Sequence, residues 1–418
     1  MKKLKVIFDL TLLIHHYALH GCERSGIYFA SYNIANQLLH SQKLKVVFYL
    51  SEQDLIKFQE IHLLFPNFQH KLKFYKNYTL AKWYRKYKQK YDYTTNKPQK
   101  KFYKFMRELL RIAGNIEKKI FHYDAFFSTF LKVPSQFAKL PSFIVIYDTI
   151  PFLYPEYFSI RPDWFYELFE SLNSLTTCFC ISHATKKDVL RFRPDLNEKN
   201  LVVTHLATNE TFFPRKDEKK FAQIQSKYHI PLDKRYIFSL CTIEPRKNLL
   251  RIAKTFLNFL QRDHINDMIL CIGGGQWDAF AQKMQEEITS FPNYENYILK
   301  IGYVDDEDIP YLYSNAEWFV YTSQYEGFGF PPLEAMACGC PVISSTTSSL
   351  PEVVGDAALT IDYDNDEQHI KAYETYYYNS NIREEFARKG LAQAQLFSWK
   401  KTGHLIERTI FDVVLSQT

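Results

Sequence analysis

"AEWFVYTSQYEGFGFPPLEAMACGCPV" occupies residues 316–342 and changes character twice within one breath of chain. Residues 316–324 are an apolar run that reads as a buried strand, 325–330 (YEGFGF) a glycine-aromatic loop, and Pro331 and Pro332 suit the first turn of a helix, where no backbone N–H is required. In open α/β sheets, ligands bind at the carboxyl ends of strands, where such loops lie. A helix start presents unpaired N–H groups and a partial positive charge, which together favour a phosphate. Gly327 and Gly329 remove side chains, so that the backbone can approach an anion. Glu334 follows Pro331 by three residues, about 4–5 Å along a helix axis at about 1.5 Å per residue. Its carboxylate can pass the phosphate and accept hydroxyls of a ribose. Glu326 precedes the glycines and faces the other flank. Two acceptors around one anion cradle have the shape of a sugar–diphosphate–nucleoside site. A lone first-turn glutamate often does no more than complement a helix dipole, but that does not explain the whole run through A-x-A-x-G-x-P-V.

Further strand-like runs surround this one: KVIFDL, KVVFYL, AFFSTF, SFIVIYD and TTCFCIS in the first half, then RYIFSLC, MILCIGG, YILKIGY and CPVISS in the second. They are apolar on both faces, as parallel strands covered by helices must be. Helical patterns at 27–39, 249–259 and 309–316 fall between them. The alternation predicts an α/β protein of two Rossmann-like, doubly wound halves, in keeping with a length of 418 residues. We expect residues 1–215 as the first domain, 216–395 as the second, and 396–418 as a terminal helix. The charged stretch PRKDEKK at 214–220 is the expected hinge. The terminal helix shows apolar residues at Leu405, Ile406, Ile410, Phe411, Val413 and Val414.

Composition, with 46% hydrophobic and 23% charged residues, excludes a disordered chain. The abundance of aromatics, 17%, is equally explained by codon bias. Seven scattered cysteines lack the spacing of a zinc site and read as buried free thiols of a reducing compartment. The opening MKKLKVIFDL is basic and then apolar, but Asp9 interrupts it and no cleavage site follows, so a first strand is expected in place of a signal peptide. No run of 18 uncharged apolar residues occurs, and a cytoplasmic location is expected. Net charge is +6, yet residues 71–120 alone hold sixteen Lys and Arg against three acids, a net of +13, which leaves −7 for the rest.

The run EGFGFPPLEAMACGCPVISS…SLPEVVGDAAL resembles the E-x(7)-E signature of glycosyltransferase family 4, retaining enzymes of GT-B fold. The likeness extends through YIFSLCTIEPRKNLLRIAKTF, ILCIGGG and IGYVDDEDIPYLYSNAEWFV, covering most of the second half. It is weaker in the first half, through ERSGIYFASYNIANQLL, VIYDTIPFLYPEYF and CISHATKKDVLRF. The resemblance implies two domains facing across a cleft, with the C-terminal helix crossing back onto the first. It implies that Glu334 holds the nucleotide ribose, that Glu326 faces the donor sugar, and that the amides around Phe328, Gly329 and Phe330, beside Gly327, hold the diphosphate. Lys247 would neutralise that diphosphate. Arg246 is either a second cation or mere surface charge. Gly26 would face the cleft from the first domain.

Two departures from the family pattern stand out. Where relatives carry an arginine after the strand preceding Lys247, this chain reads Leu240-Cys241-Thr242, which makes Arg246 the obvious substitute. Where relatives carry a histidine before Asp148, this chain has Tyr147, a poor proton shuttle near neutral pH, so Asp148 becomes the favoured catalytic residue with Glu326 and Lys247. No Asp-x-Asp pair occurs in the candidate site, and Asp305-Asp306 lacks that spacing. Metal-independent, cofactor-free transfer is expected, with fixed cations stabilising the departing diphosphate. The variants YDTIPFLYPEYF and TIEPRKNL look most like mannosyl- or rhamnosyltransferases of bacterial surface polysaccharide synthesis, with GDP-mannose the first donor guess. The expected partners are a nucleotide-sugar donor and a saccharide or polyprenyl-diphosphate-linked acceptor. A nucleotide-sugar epimerase of the same fold and an inactive sugar-binding or scaffold relative remain as alternatives.

The 71–120 insertion interleaves its cations with Tyr, Trp and Phe. It reads either as a solvated helical hairpin or as a peripheral contact with an anionic membrane on its inner face. Single-stranded nucleic acid would suit the composition, but no other feature supports it, so no nucleic-acid partner is expected.

Overall fold

The computed structural model describes residues 3–14, 26–50, 65, 78–120, 123–158, 160–275 and 278–417. Its frame is two six-stranded sheets in which every pairing is parallel. The first contains β1 (Leu4–Asp9), β2 (Leu44–Tyr49), β3 (Ala125–Ser128), β4 (Ser142–Ile146), β5 (Thr176–Cys180) and β6 (Leu201–Val203), in the order β2-β1-β3-β4-β5-β6. The second contains β7 (Arg235–Leu240), β8 (Met268–Gly273), β9 (Ile298–Gly302), β10 (Phe319–Tyr321), β11 (Val342–Ser345) and β12 (Leu359–Ile361), in the order β12-β11-β10-β7-β8-β9. β3, β4, β5 and β8 are buried along their whole length, the burial that the unbroken apolar runs required. β6 and β12 were not anticipated: three residues are too few to display a pattern.

Helices fill the crossovers. α1 (Gly26–His40) lies between β1 and β2, and α2 (Tyr78–Tyr93) with α3 (Lys97–Ile120) forms a hairpin inserted between β2 and β3. Residues 71–77 of the basic insertion, and Cys22 in the first βα loop, lie outside the described residues. α4 (His183–Phe192) follows β5, and α5 (Leu249–Arg262) follows β7. α5 buries Leu249, Ile252, Ala253, Phe256, Leu257 and Leu260, a stripe at helical spacing. α6 (Phe330–Ala337) follows β10, and α7 (Leu350–Val354) follows β11.

The chain passes between the halves at residues 204–217, and the second part of the charged stretch is helical: Asp217 caps Glu218–Lys227 by accepting from the Lys220 amide at 3.0 Å. The last helix, α8 (Trp399–Ser416), crosses back to the first half, as the resemblance implied. Its inward face is Trp399, Thr402, Gly403, Ile406, Ile410 and Val414, whereas Leu405, Phe411 and Val413 are only half-buried. Gly403 is required there, because a Cβ would stand 2.5 Å from Cβ of Gln37 on α1. The Trp399 indole donates to the Thr208 carbonyl at 3.1 Å, and the Thr402 hydroxyl to that of His205 at 2.7 Å.

The second sheet reverses its winding between β7 and β10, so the loops after these two strands open side by side. That is the switch point at which open α/β sheets bind ligands. The six described cysteines are free thiols. Among the described residues no helix is long and apolar enough to cross a membrane.

Candidate functional site

The loops after β7 and β10 face the first half across a cleft of about 510 Å³. Every candidate residue lines it: Arg246, Lys247, Glu326, Gly327, Phe328, Gly329, Phe330 and Glu334 from the second half, Gly26 and Asp148 from the first. Residues more than 300 positions apart in sequence thus meet; ring carbons of Phe330 lie 3.3 Å from where a Cβ on Gly26 would stand.

Pro331 and Pro332 do occupy the first turn of α6, capped by Gly329 with no side-chain partner. The prolines lack N–H groups, so the donors at this helix start are the amides just before them. Among the described residues no protein acceptor meets the amides of residues 327–330, whereas the Glu326 amide donates to Ser348 Oγ at 2.8 Å. Ser349 Oγ lies 2.9 and 2.6 Å from the carbonyls of Glu326 and Phe328. This pair of serines holds the loop through the Glu326 amide and the carbonyls of Glu326 and Phe328.

The structure gives the glycines a further reason for their place. A Cβ on Gly327 would stand 2.1 Å from the Tyr147 carbonyl oxygen, so this glycine lets the two halves close on each other. Gly329 has φ +123°, and its Cβ would meet Leu350 at 2.9 Å. Both spaces are filled by protein, not left open for an anion.

Glu326 is almost fully buried and heavily engaged. Its Oε1 lies 2.7 Å from Lys247 Nζ and 3.2 Å from Arg246 Nη1, and accepts the Tyr321 hydroxyl at 2.8 Å. Lys247 also donates to Tyr321 Oη at 2.7 Å. Burial opposes ionisation of Glu326, but Lys247 and Arg246 outweigh it and hold the carboxyl at about 2. Arg246 is 7% exposed and bonds Glu244 and the Tyr325 carbonyl as well. It is therefore not surface charge, and it lines the cleft together with Cys241 and Thr242. Burial pushes the Cys241 thiol up to about 12, which leaves it neutral.

Glu334 is the opposite case. Burial raises its carboxyl to about 7, with Asp306 adding like charge; its one hydrogen bond among the described residues is from the Tyr313 hydroxyl, at 3.3 Å. The site thus holds one carboxylate that is firmly ionised and saturated, and one that is poised and largely unused. Asp148, also raised by burial, accepts the Ile150 amide at 2.9 Å. Tyr147 donates to or accepts from Ser31 at 3.1 Å, and burial raises its hydroxyl above the usual tyrosine value, so it cannot serve as a neutral-pH base.

Sequence reasoning missed Tyr321, Tyr313, Ser348 and Ser349. Tyr321 ends β10 and had a weak signal, five residues before Glu326; Tyr313 and the serines are placed only by the fold. It also missed the polar seam beside the cleft, where Tyr325 donates to Asp188 at 2.6 Å and Tyr157 to Gln324 at 3.2 Å.

Residues 220–393 match the sequence family described as "Glycosyl transferases group 1". This part of the chain is similar to a glycosyl transferases group 1 domain. The match spans the stretch whose motifs carried the resemblance. Across 235 residues the chain is 36% identical to O-antigen chain mannosyltransferase B of Escherichia coli, covering 56% of this chain and 60% of that one. Across 303 residues it is 25% identical to the serotype-specific mannosyltransferase WbdA of Escherichia coli, covering 70% of this chain and 36% of that one. The chain thus spans from about a third to three-fifths of the length of these relatives. In fold it is similar to Anabaena HepE, solved with UDP and glucose, at a TM-score of 0.66 and 13% identity over 98% of this chain and 100% of that one. The architecture is accordingly GT-B: two parallel-sheet domains, the second holding the residues matched by that family, and the terminal helix returning to the first.

Proposed function

We propose that this chain transfers a sugar, with retained anomeric configuration, from a nucleotide-diphosphate donor to a saccharide or lipid-linked saccharide in the synthesis of a bacterial surface polysaccharide. The observation that carries this reading is the single cleft in which Lys247, Arg246 and the unpaired amides of residues 327–330 converge between Glu326 and Glu334. A diphosphate at that point gains two fixed cations and a helix start, the features that stabilise charge on a leaving diphosphate. Glu334 then accepts the ribose hydroxyls. Glu326, released in part from Lys247 and Arg246 as these turn to the diphosphate, faces the sugar. Asp148 approaches from the acceptor side, and the leaving diphosphate helps take the acceptor proton in a front-face attack. The cations occupy the role that Mg²⁺ plays elsewhere, so transfer needs no metal.

The mannosyltransferase relatives favour GDP-mannose as donor. Purified protein incubated with radiolabelled GDP-mannose, UDP-glucose or dTDP-rhamnose tests this: transfer or slow hydrolysis of one donor is expected, and NMR of the product anomer reads retention. Binding of none of the three, with no hydrolysis, overturns the assignment. Donor interconversion without an acceptor would instead indicate an epimerase.

A lipid-linked acceptor also gives the α2–α3 hairpin a purpose. Trp83, Phe102 and Phe105 are 43%, 53% and 62% exposed. Lys86 lies over the Trp83 ring at 4.8 Å, and Lys100 and Arg107 over Tyr91 at 5.1 and 4.9 Å. Cations beside exposed rings suit an interface of anionic headgroups, where rings sit at the boundary and the charges above it.

A further inference from the structure

We propose that His183, His205 and Glu352 form a zinc-binding site that ties the two domains together beside the glycine loop. The three residues come from separate elements: His183 opens α4, His205 lies in the connection after β6, and Glu352 lies on α7 of the second half. Each offers a ligand atom, and these atoms all lie within 4.8 Å of one another. Glu352 reaches into the first half, where it accepts the amides of His183 and Ala184 at 2.7 and 2.8 Å and the His205 Nε2 at 3.1 Å.

Zinc binds histidine nitrogen and carboxylate oxygen at about 2.0–2.2 Å, so two ligands of one tetrahedral ion stand about 3.3–3.6 Å apart. His205 Nε2 and Glu352 Oε2, at 3.1 Å, share a hydrogen bond and need to part only slightly to admit an ion between them. A carboxylate has about four lone-pair directions, and the two amides use two of them. An ion taking the place of the His205 proton therefore leaves the cap on α4 intact. The His205 ring is held against Phe397 and Phe328, at 5.8 and 6.3 Å between centroids, so its orientation is fixed in advance. The His183 side chain is exposed, and its ring lies beside that of His205, with 5.9 Å between centroids. Among the described residues, no Lys or Arg pairs with Glu352; its one charged partner is a histidine that carries charge only when protonated. Two imidazoles, one carboxylate and an open position suit zinc, not Mg²⁺ or Ca²⁺, which prefer oxygen ligands alone.

The ligands bridge the domains, so a bound ion opposes opening of the cleft without entering it. This inference does not rest on the proposed reaction. Chelator-treated, tag-free protein titrated with ZnCl₂ by calorimetry and thermal shift should bind one equivalent with a rise in Tm, whereas MgCl₂ should give none. His183→Ala and His205→Gln should each weaken Zn²⁺ binding by about tenfold or more. Zinc-edge absorption should show imidazole scattering. No stoichiometric binding, binding indifferent to both variants, or an all-sulfur signal would each overturn the site. His183 is exposed, so if His205→Gln fails to fold, His183→Ala decides alone. Where turnover is measurable, excess zinc should slow the wild type and spare His183→Ala.

Discussion

Glu334→Gln isolates the contribution of the poised carboxylate, and the structure sets the size of the effect twice over. In the free protein, burial lifts this carboxyl from an ordinary 4.5 to about 7. The folded value is the higher one, so the penalty is absent below the unfolded value and grows as pH rises through the folded one. At about 1.36 kcal/mol per pH unit the full penalty is about 3 kcal/mol, somewhat less because the side chain borders an open cleft. Glutamine fills the same space without charge. Its Tm should match the wild type below the unfolded value of 4.5 and exceed it above the folded value of about 7. Ligand binding should move the opposite way, since a ribose presents two hydroxyl donors to the ionised carboxylate. Losing one charge-assisted hydrogen bond costs about 2–3 kcal/mol, or about 30- to 150-fold in Kd. The wild type must also ionise Glu334 before it can bind, so affinity should fall about 30-fold between pH 8 and pH 5.5. Calorimetry with the preferred nucleotide sugar, whose diphosphate diester does not titrate in this range, reads both effects. A wild type whose affinity is flat with pH, beside a variant that binds equally well, would refute the ribose role.

Other outcomes follow from the same geometry. Glu326→Gln leaves Lys247 and Arg246 buried without their shared partner, which should cost about 3–5 kcal/mol of stability and reduce kcat more than donor affinity; an unchanged Tm and kcat would contradict the ion-pair network. In Gly327→Ala the added methyl would press on the Tyr147 carbonyl, so the domains should separate: scattering should show an expanded particle and turnover should collapse, whereas wild-type compactness would show that the apposition is not tight. EDTA should leave transfer intact, and loss of turnover restored by Mg²⁺ would remove the fixed-cation mechanism. Replacing Trp83, Phe102 and Phe105 with Ser should abolish flotation with anionic liposomes at moderate salt; flotation that survives, or a wild type that never floats, would remove the membrane role.

The α/β class, the doubling of the sheet and the residues that line one wall of the cleft were legible along the chain. Those features are local. A buried parallel strand must be apolar on both faces, and a helix opening on Pro331-Pro332 after a glycine loop announces its own N-terminus. Lys247 and Glu326 could each be singled out, but their 2.7 Å contact could not, because it joins loops that only the strand order β10-β7 sets side by side. For the same reason the protonation of the two glutamates was invisible: burial raises both carboxyls, but only Glu326 meets two cations that outweigh it. The domain contacts at Gly327 and Gly403 were likewise unseen, since each answers to a backbone or side chain from the opposite domain. Pattern is written along the chain, whereas burial, charge pairing and domain contact depend on distances in space, and these came only with the closed tertiary structure.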